Sequence, residues 1–397
     1  MIRNRDFIVF SDDWGGHPFS CRHLMRQFIP RNRALWVHTV GMRRPRLTLY
    51  DLKRSVQKLR SFTGRSDAVE LPAGLTTLSP AMLPFGSPLV RRFNRDSVVR
   101  TVRRKMKELG FRDPILLTTL PNAADYLGAF GEKATVYYCV DDFTLWPGVN
   151  RPLVAEMEER LLSRADLLVC SSPELARLKQ RNGLMTEIIP HGVDFEHFAR
   201  TGSRGCEPIP PLAGLGKPAI GYFGLLGEWV DLPLLELIAK RHPEWTLVLI
   251  GTVLADITRL ATYPNVLFTG PIPYDRLPAH VSYLDALILP YLTEGRGHSI
   301  TPLKLREYIA TGKPVVATVI PECRLYQDVI RIATSHEEFL AALASAVVEG
   351  DEKSGERREA VSRDGWNNRA EMLSGLLDSI LNLKTVAKVN SDQMASA

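Results

Sequence analysis

The segment Tyr291-Leu-Thr-Glu-Gly-Arg-Gly-His-Ser-Ile-Thr-Pro-Leu-Lys-Leu-Arg-Glu-Tyr-Ile-Ala-Thr-Gly-Lys-Pro-Val-Val-Ala-Thr318 carries the densest structural signal in this 397-residue chain. A strand ending at Pro290 runs into a glycine-bearing loop. Thr301 stands where a helix N-cap belongs, with Pro302 at the first helical position. Gly312 closes the helix and Pro314 opens the next strand. The free amides and dipole of such a helix start attract an anion. Lys304 lies in the first turn, where the dipole disfavours a cation, and a bound phosphate would resolve that conflict. Glu307, three residues on, shares its face. Its carboxylate can accept hydrogen bonds from paired ribose hydroxyls while Lys304 and the amides hold a diphosphate. A solvent-facing Lys–Glu pair is the alternative; the full loop–cap–helix–glycine context favours the binding site.

Outward from this segment, short apolar runs alternate with helix-length stretches. The predicted strands are Asp6–Phe10, Ala34–His38, Ile115–Thr118, Thr135–Val140, Leu167–Cys170 and Glu187–Ile189, then Ala219–Phe223, Thr246–Ile250, Val266–Thr269, Ala286–Leu289, Pro314–Ala317 and Val329–Ile332. Their near-continuous apolar character fits parallel strands covered on both faces. Helical patterns cover Leu153–Ser163, Pro233–His242, Pro302–Thr311 and Ser335–Glu349. Two rounds of alternation predict an α/β protein of two Rossmann-like, doubly wound domains facing across a cleft. The first domain is expected over 1–199 and the second over 218–364, joined by a Gly- and Pro-rich linker at 200–217. An amphipathic helix at 365–383 follows, then a polar tail at 384–397 expected to be disordered.

Composition narrows the function. A chain with 45% hydrophobic and 24% charged residues is globular, neither disordered nor collagen-like. The net charge is +6, yet residues 41–112 alone hold 17 Lys/Arg against 5 Asp/Glu, so the remainder is acidic. A confined basic patch suits a membrane surface or an anionic substrate better than indiscriminate nucleic-acid coating. Five cysteines, Cys21, Cys139, Cys170, Cys206 and Cys323, are far apart and never form a Cys-x-x-Cys pair. Reduced thiols in a cytoplasm fit that spacing; a disulfide framework or a zinc site does not. The apolar run Phe7–Phe10 meets Asp12 and Asp13 at once, unlike a secretory leader. The uncharged window Leu71–Val90 holds four prolines, which a spanning helix would not tolerate together.

Other loops add candidates. Gly221-x-x-Gly224-x-x-Gly227 lets a backbone approach a ligand, but its spacing and the absence of an acidic residue after Thr246–Ile250 disfavour nicotinamide or flavin. Asp141 and Asp142 follow a strand; two adjacent carboxylates could orient hydroxyls or serve as a base, or merely cap a turn. His17, His23 and His191 read as structural more readily than as ligands. No Asp-x-Asp, His-Glu-x-x-His or Gly-x-Ser-x-Gly motif occurs. In Arg91–Phe111, Phe93, Val98, Val99, Val102, Met106 and Leu109 fall at helical spacing among eight cations, directly after the apolar Leu83–Val90 stretch. That combination predicts contact with a membrane surface.

Ser299–Thr318 resembles the donor-binding motif of retaining glycosyltransferases of the GT-B fold (group 1, family 4-like). Ile189–Phe198 resembles their Asn-Gly-Val-Asp signature, with His191 in place of Asn. Phe10–Trp14, Val136–Phe143, Glu159–Ser172, Ile220–Gly224 through Trp229 and Asp231, and the Trp366 helix are similar to a polysaccharide-synthesis subgroup. The resemblance covers about residues 6–380. It implies a nucleotide-diphosphate sugar donor on the second domain, a saccharide or lipid-linked acceptor on the first, transfer with retention, and no cofactor. The donor contacts it implies are Gly224, Arg296, Ser299, Ile300, Thr301 and Glu307, with Gly15 and Gly16 as the glycine loop over the sugar. Catalytic roles fall to Asp141, Asp142 and Lys304. Two departures stand out: Ser299 occupies the first position of the family's glutamate pair, and Leu225–Glu228 lacks its usual Arg and Lys. Charge neutralisation then falls to Lys304, the helix start and Arg296. The expected setting is cytoplasmic, peripheral at the inner face of the membrane. A non-catalytic nucleotide-sugar-binding subunit would keep the same helix site. A nucleic-acid-binding protein would use the basic patch, but lacks a base-stacking or recognition motif.

Overall fold

The computed structural model describes residues 1–15, 19–39, 71–83, 87–146, 148–202, 218–294 and 302–395. Gly16, His17, Arg296, Ser299, Ile300, Thr301, Cys206 and most of the 200–217 segment lie outside them, as does the 41–70 part of the basic stretch. The chain divides into two compact units, Met1–Pro190 with Arg369–Ala397, and His191–Asn368.

The first unit is built on a parallel sheet of seven strands: β1 (Asp6–Ser11), β2 (Arg33–His38), β3 (Leu75–Leu78), β4 (Ile115–Thr118), β5 (Ala134–Cys139), β6 (Leu167–Cys170) and β7 (Met185–Ile188). Their order is β3-β2-β1-β4-β5-β6-β7. Every residue of β4, β5 and β6 is buried, as expected of strands covered on both faces. Helices α1 (Ser20–Phe28), α2 (Pro88–Leu109), α3 (Arg151–Leu162) and α4 (Pro173–Lys179) belong to this unit. The second unit opens with α5 (Phe195–Ala199). Its parallel sheet orders β8 (Ala219–Phe223), β9 (Thr246–Ile250), β10 (Val266–Gly270), β11 (Ala286–Leu289), β12 (Val315–Thr318) and β13 (Arg331–Ala333) as β10-β9-β8-β11-β12-β13. Its other helices are α6 (Leu232–Arg241), α7 (Leu277–Val281), α8 (Leu303–Thr311), α9 (His336–Glu349) and α10 (Ser354–Ser362). Each sheet reverses its winding at its first strand, β1 or β8. The loops leaving the carboxyl ends of those strands sit at the switch points where such sheets bind ligands.

Two parallel α/β sheets are the predicted fold class, but details differ. The edge strand β3 lies inside the uncharged Leu71–Val90 window, where no strand is predicted; with Thr76 and Thr77 only half-buried, it lacks the apolar run that marks the other strands. The same window ends in α2, where Ser87 caps through its side chain and Pro88 is the first helical residue. On α2 the buried stripe is Asn94, Val98, Val102 and Met106, while Phe93, expected on it, is 51% exposed. The last helix, α11 (Trp366–Ala395), runs past Leu383 through the segment expected to be a disordered tail. Cys21, Cys139, Cys170 and Cys323 are free and buried.

Gly221 shows how tightly β8 is packed: a Cβ there would lie 2.1 Å from Leu284 Cδ1. Gly221→Ala is therefore expected to lower stability by about 1–3 kcal/mol through overpacking, read as a lower denaturation midpoint at unchanged slope. An unchanged midpoint would show that Leu284 gives way freely.

Candidate functional site

Helix α8 carries the site in the second unit. It starts at Leu303, one residue later than the sequence pattern places it, because Pro302 at φ −74°, ψ 113° is still extended. Pro302 offers no side-chain acceptor; the Leu305 amide donates to Pro302 O at 3.1 Å, and among the described residues no side chain caps the amides of Leu303 and Lys304, which an anion could meet. Gly312 ends the helix at φ 80°, and a Cβ there would meet Ser354 Oγ at 2.1 Å. From Leu305 to Thr311 every residue is buried, charged ones included. Arg306 turns inward to Glu322 (2.6 Å) and Asp364 (3.4 Å) and lies over the Tyr326 ring. The Tyr326 hydroxyl donates to Asp364 (2.6 Å), whose backbone carbonyl accepts from Val193 N. This buried network fixes the helix's rotation.

The opposite wall is the loop after β8. Lys304 lies across Gly224 so closely that a Cβ at Gly224 would fall 1.7 Å from Lys304 Cε and 2.6 Å from Nζ. Gly224 adopts φ 142°, and its amide donates to Ile250 O at 2.7 Å. Gly251, at φ 141°, would put a Cβ 1.9 Å from Gly224 O. Two glycines thus bring the ends of β8 and β9 together backbone to backbone, with the Lys304 stem laid over them. The position that lacks the usual cations therefore has a cation reaching it from α8.

Glu307 is buried, and that burial pushes its carboxyl up to about 7; Lys304 pulls it down and Asp194 pushes it further up. Asp194 precedes α5, in the His191-Gly-Val-Asp194 segment. Gly192 packs that segment against Trp366, where a Cβ would meet the indole at 2.7 Å. A helix start with the amides of Leu303 and Lys304, an ammonium and a buried carboxyl whose charge responds to its surroundings can hold a diphosphate and a pair of hydroxyls together.

In the first unit, Gly15 is exposed after β1 and its amide donates to Asp13 Oδ1. After β5 the two aspartates have different surroundings. Asp142 is buried, accepting from Thr144 N, Thr144 Oγ1 and Lys179 Nζ (3.0 Å). Burial alone would raise its carboxyl, but the Thr144 hydroxyl and Lys179 hold it below the ordinary value. Lys179 also donates to Glu158 (2.8 Å), which accepts from the Tyr137 hydroxyl. Asp141 is half-buried and accepts from Trp146 Nε1 (2.7 Å) and Asp142 N. His23 and His191 are buried. The structure thus brings Gly224, Lys304 and Glu307 together in one unit, and Asp141 and Asp142 on one loop of the other. Asp194, Gly251 and Lys179 were not singled out from sequence; only Asp194 carried a signal, its place in the quoted signature.

Residues 223–349 match the family described as Glycosyl transferases group 1. The chain is 28% identical over 232 residues to TuaH of Bacillus subtilis (strain 168), whose name assigns it to teichuronic acid biosynthesis as a glycosyltransferase; the match covers 55% of this chain and 58% of that one. It is 30% identical over 144 residues to a GDP-mannose-dependent alpha-(1-6)-phosphatidylinositol monomannoside mannosyltransferase of Mycolicibacterium smegmatis, covering 33% and 37%. The chain therefore spans less than three fifths of the length of these curated relatives. In fold it is similar to sucrose-phosphate synthase from Thermosynechococcus elongatus (TM-score 0.73, 14% identity, 96% of this chain and 100% of that one). It is also similar to HepE of Anabaena, solved with UDP-glucose (TM-score 0.65, 16% identity, 94% and 99%). The match to the group 1 glycosyltransferases thus falls across β8 to α9 of the second unit, and in fold the chain is similar to these GT-B neighbours.

Proposed function

We propose that this protein moves a sugar from a nucleotide-diphosphate donor, bound at the start of α8, to a saccharide or lipid-linked acceptor in cell-surface polysaccharide synthesis, with retention of configuration. The observation that carries the reading is the placement of Lys304 across Gly224 beside the buried Glu307. Lys304 and the first-turn amides neutralise the leaving diphosphate, whose charge grows in the transition state, while Glu307 accepts from the ribose hydroxyls. Arg296, Ser299, Ile300 and Thr301 belong to the same donor segment in this reading. Asp141 serves the acceptor side, Gly15 and Gly16 form the glycine loop over the sugar, and Asp142 with Lys179 holds the Asp141 loop. The relatives' names, one from teichuronic acid biosynthesis and one a GDP-mannose-dependent mannosyltransferase, support a nucleotide sugar such as GDP-mannose as donor. Hydrolysis and transfer assays with UDP-glucose and GDP-mannose test it. Lys304→Ala is expected to lower turnover at least tenfold with folding intact; wild-type turnover in that variant would remove Lys304 from the chemistry.

The pH dependence follows from Glu307. Between the ordinary carboxyl value of 4.5 and about 7, the folded protein holds a proton that the unfolded chain releases. Its contribution to stability is therefore full below 4.5 and lost as pH rises through 7, a span of roughly 3 kcal/mol. Donor binding has the opposite sign, because ribose hydroxyls need the carboxylate. Donor affinity is expected to rise between pH 6 and 8 with release of a proton, and Glu307→Gln to remove that rise. Calorimetry in buffers of different ionisation enthalpy reads both; a wild-type affinity flat across this range would take Glu307 out of the site.

We further propose that α2 seats the protein on an anionic membrane. No helix among the described residues is long and apolar enough to cross a bilayer. Leu89 is 82% exposed and Phe93 51%, one turn apart, with exposed Leu83 before them. Arg100, Arg103, Arg104 and Lys107 continue the same exposed face. Each cation near such a surface contributes about 1 kcal/mol, and the apolar residues supply the second signal that stable attachment requires. Co-sedimentation with anionic but not neutral vesicles is expected, weakened by salt and by charge reversal at these four positions. Equal binding to neutral vesicles, or none to anionic ones, would assign the patch to another anion.

A further inference from the structure

Tyr308 sits one helical turn after Lys304 on α8 and is wholly buried. Its hydroxyl lies 2.9 Å from the Phe223 amide nitrogen and 2.9 Å from the Phe223 carbonyl oxygen, accepting from the first and donating to the second. The ladder between β11 and β8 pairs Ile220 and Gly221 and ends there. The phenol takes over both backbone groups of Phe223 where the strand partner stops. The two rings meet at 4.4 Å. The next residue is Gly224, under the Lys304 stem. A second wholly buried hydroxyl, that of Tyr222, donates to Leu225 O at 2.9 Å and holds the far side of the same bend. Lys304 and Tyr308, four residues apart on one face, thus grip consecutive residues of one strand end.

We infer that Tyr308 is a positioning residue of the donor site: its hydroxyl, with that of Tyr222 beside it, fixes Phe223–Leu225 so that the Lys304 ammonium is set against the donor diphosphate. The inference rests on the donor-site reading above. A lysine ammonium on its flexible stem has no preferred direction of its own. A cation that acts on developing charge must be placed before the reaction, and packing against a fixed Gly224 supplies that placement. Phenylalanine would keep the ring contact but leave a buried amide and carbonyl of Phe223 without their partner.

The test titrates wild type, Tyr308→Phe, Lys304→Ala and the double variant with UDP, UMP, GDP and GMP, alongside thermal midpoints. The preference for diphosphate over monophosphate reads the Lys304 contact, and monophosphate affinity reads the rest of the site. Tyr308→Phe is expected to cut the preference about tenfold, in the range of one lost buried hydrogen bond, with monophosphate affinity held within about twofold. It is expected to add nothing in the Lys304→Ala background. Tyr222→Phe, the second variant, is expected to lower the preference in the same direction and decides the matter if Tyr308→Phe does not fold. An unchanged preference, an equal loss for both phosphates, or full additivity in the double variant overturns the inference. If Lys304→Ala loses the preference and the tyrosine variants keep it, only the inference fails. If Lys304→Ala keeps it, or wild type binds neither diphosphate, the donor-site reading fails first.

Discussion

The second unit is organised around one contact, the Lys304 stem lying over a glycine at the end of β8. It exists only because Gly224 has no side chain: any Cβ there would occupy the space of the lysine Cε. The contact obliges α8 to start close to the β8–β9 edge, and Gly251 removes the remaining obstacle between the two strand ends. A helix of nine residues then leaves only Leu303 and Lys304 half-buried while burying everything from Leu305 onward. Leu225–Glu228 carries no cation of its own, and the Lys304 side chain reaches this strand end from the helix.

The inward face of α8 explains how so short a helix is held. Arg306, Glu307 and Tyr308 are consecutive, polar and buried, and each points to different partners. Arg306 joins a buried ion network with Glu322 and Asp364, which costs desolvation and adds direction rather than stability. Glu307 carries the opposite character: burial outweighs the pull of Lys304 and leaves its proton affinity high, so its charge responds to its surroundings. A similar division marks the first unit, where Lys179 satisfies Asp142 and Glu158 in the interior and leaves Asp141 at the half-buried end of the loop.

Much of this was legible in the sequence because the decisive signals are local. Buried parallel strands such as Ile115–Thr118 and Ala286–Leu289 announce themselves as apolar runs, and the Pro302–Gly312 frame marks a helix with Lys304 and Glu307 on one face. Strand β3 escaped because Thr76 and Thr77 give it no such run. Phe93 was misplaced because helical spacing alone cannot say which apolar residue meets the core. The partners of polar groups were illegible wherever they are distant in the chain: Tyr308 reaches Phe223 across 85 residues, and Lys179 reaches Asp142 across 37. Tertiary packing, which a sequence pattern does not encode, chose those pairs.

The central claim is that α8 holds the diphosphate and ribose of a nucleotide-sugar donor. A crystal structure of the protein with UDP or GDP bound tests it most directly. The account predicts ribose hydroxyls within hydrogen-bonding distance of the Glu307 carboxylate, with the diphosphate against Lys304 Nζ and the amides of Leu303 and Lys304. A nucleotide bound with Glu307 untouched, or with its phosphates turned away from the start of α8, would contradict it.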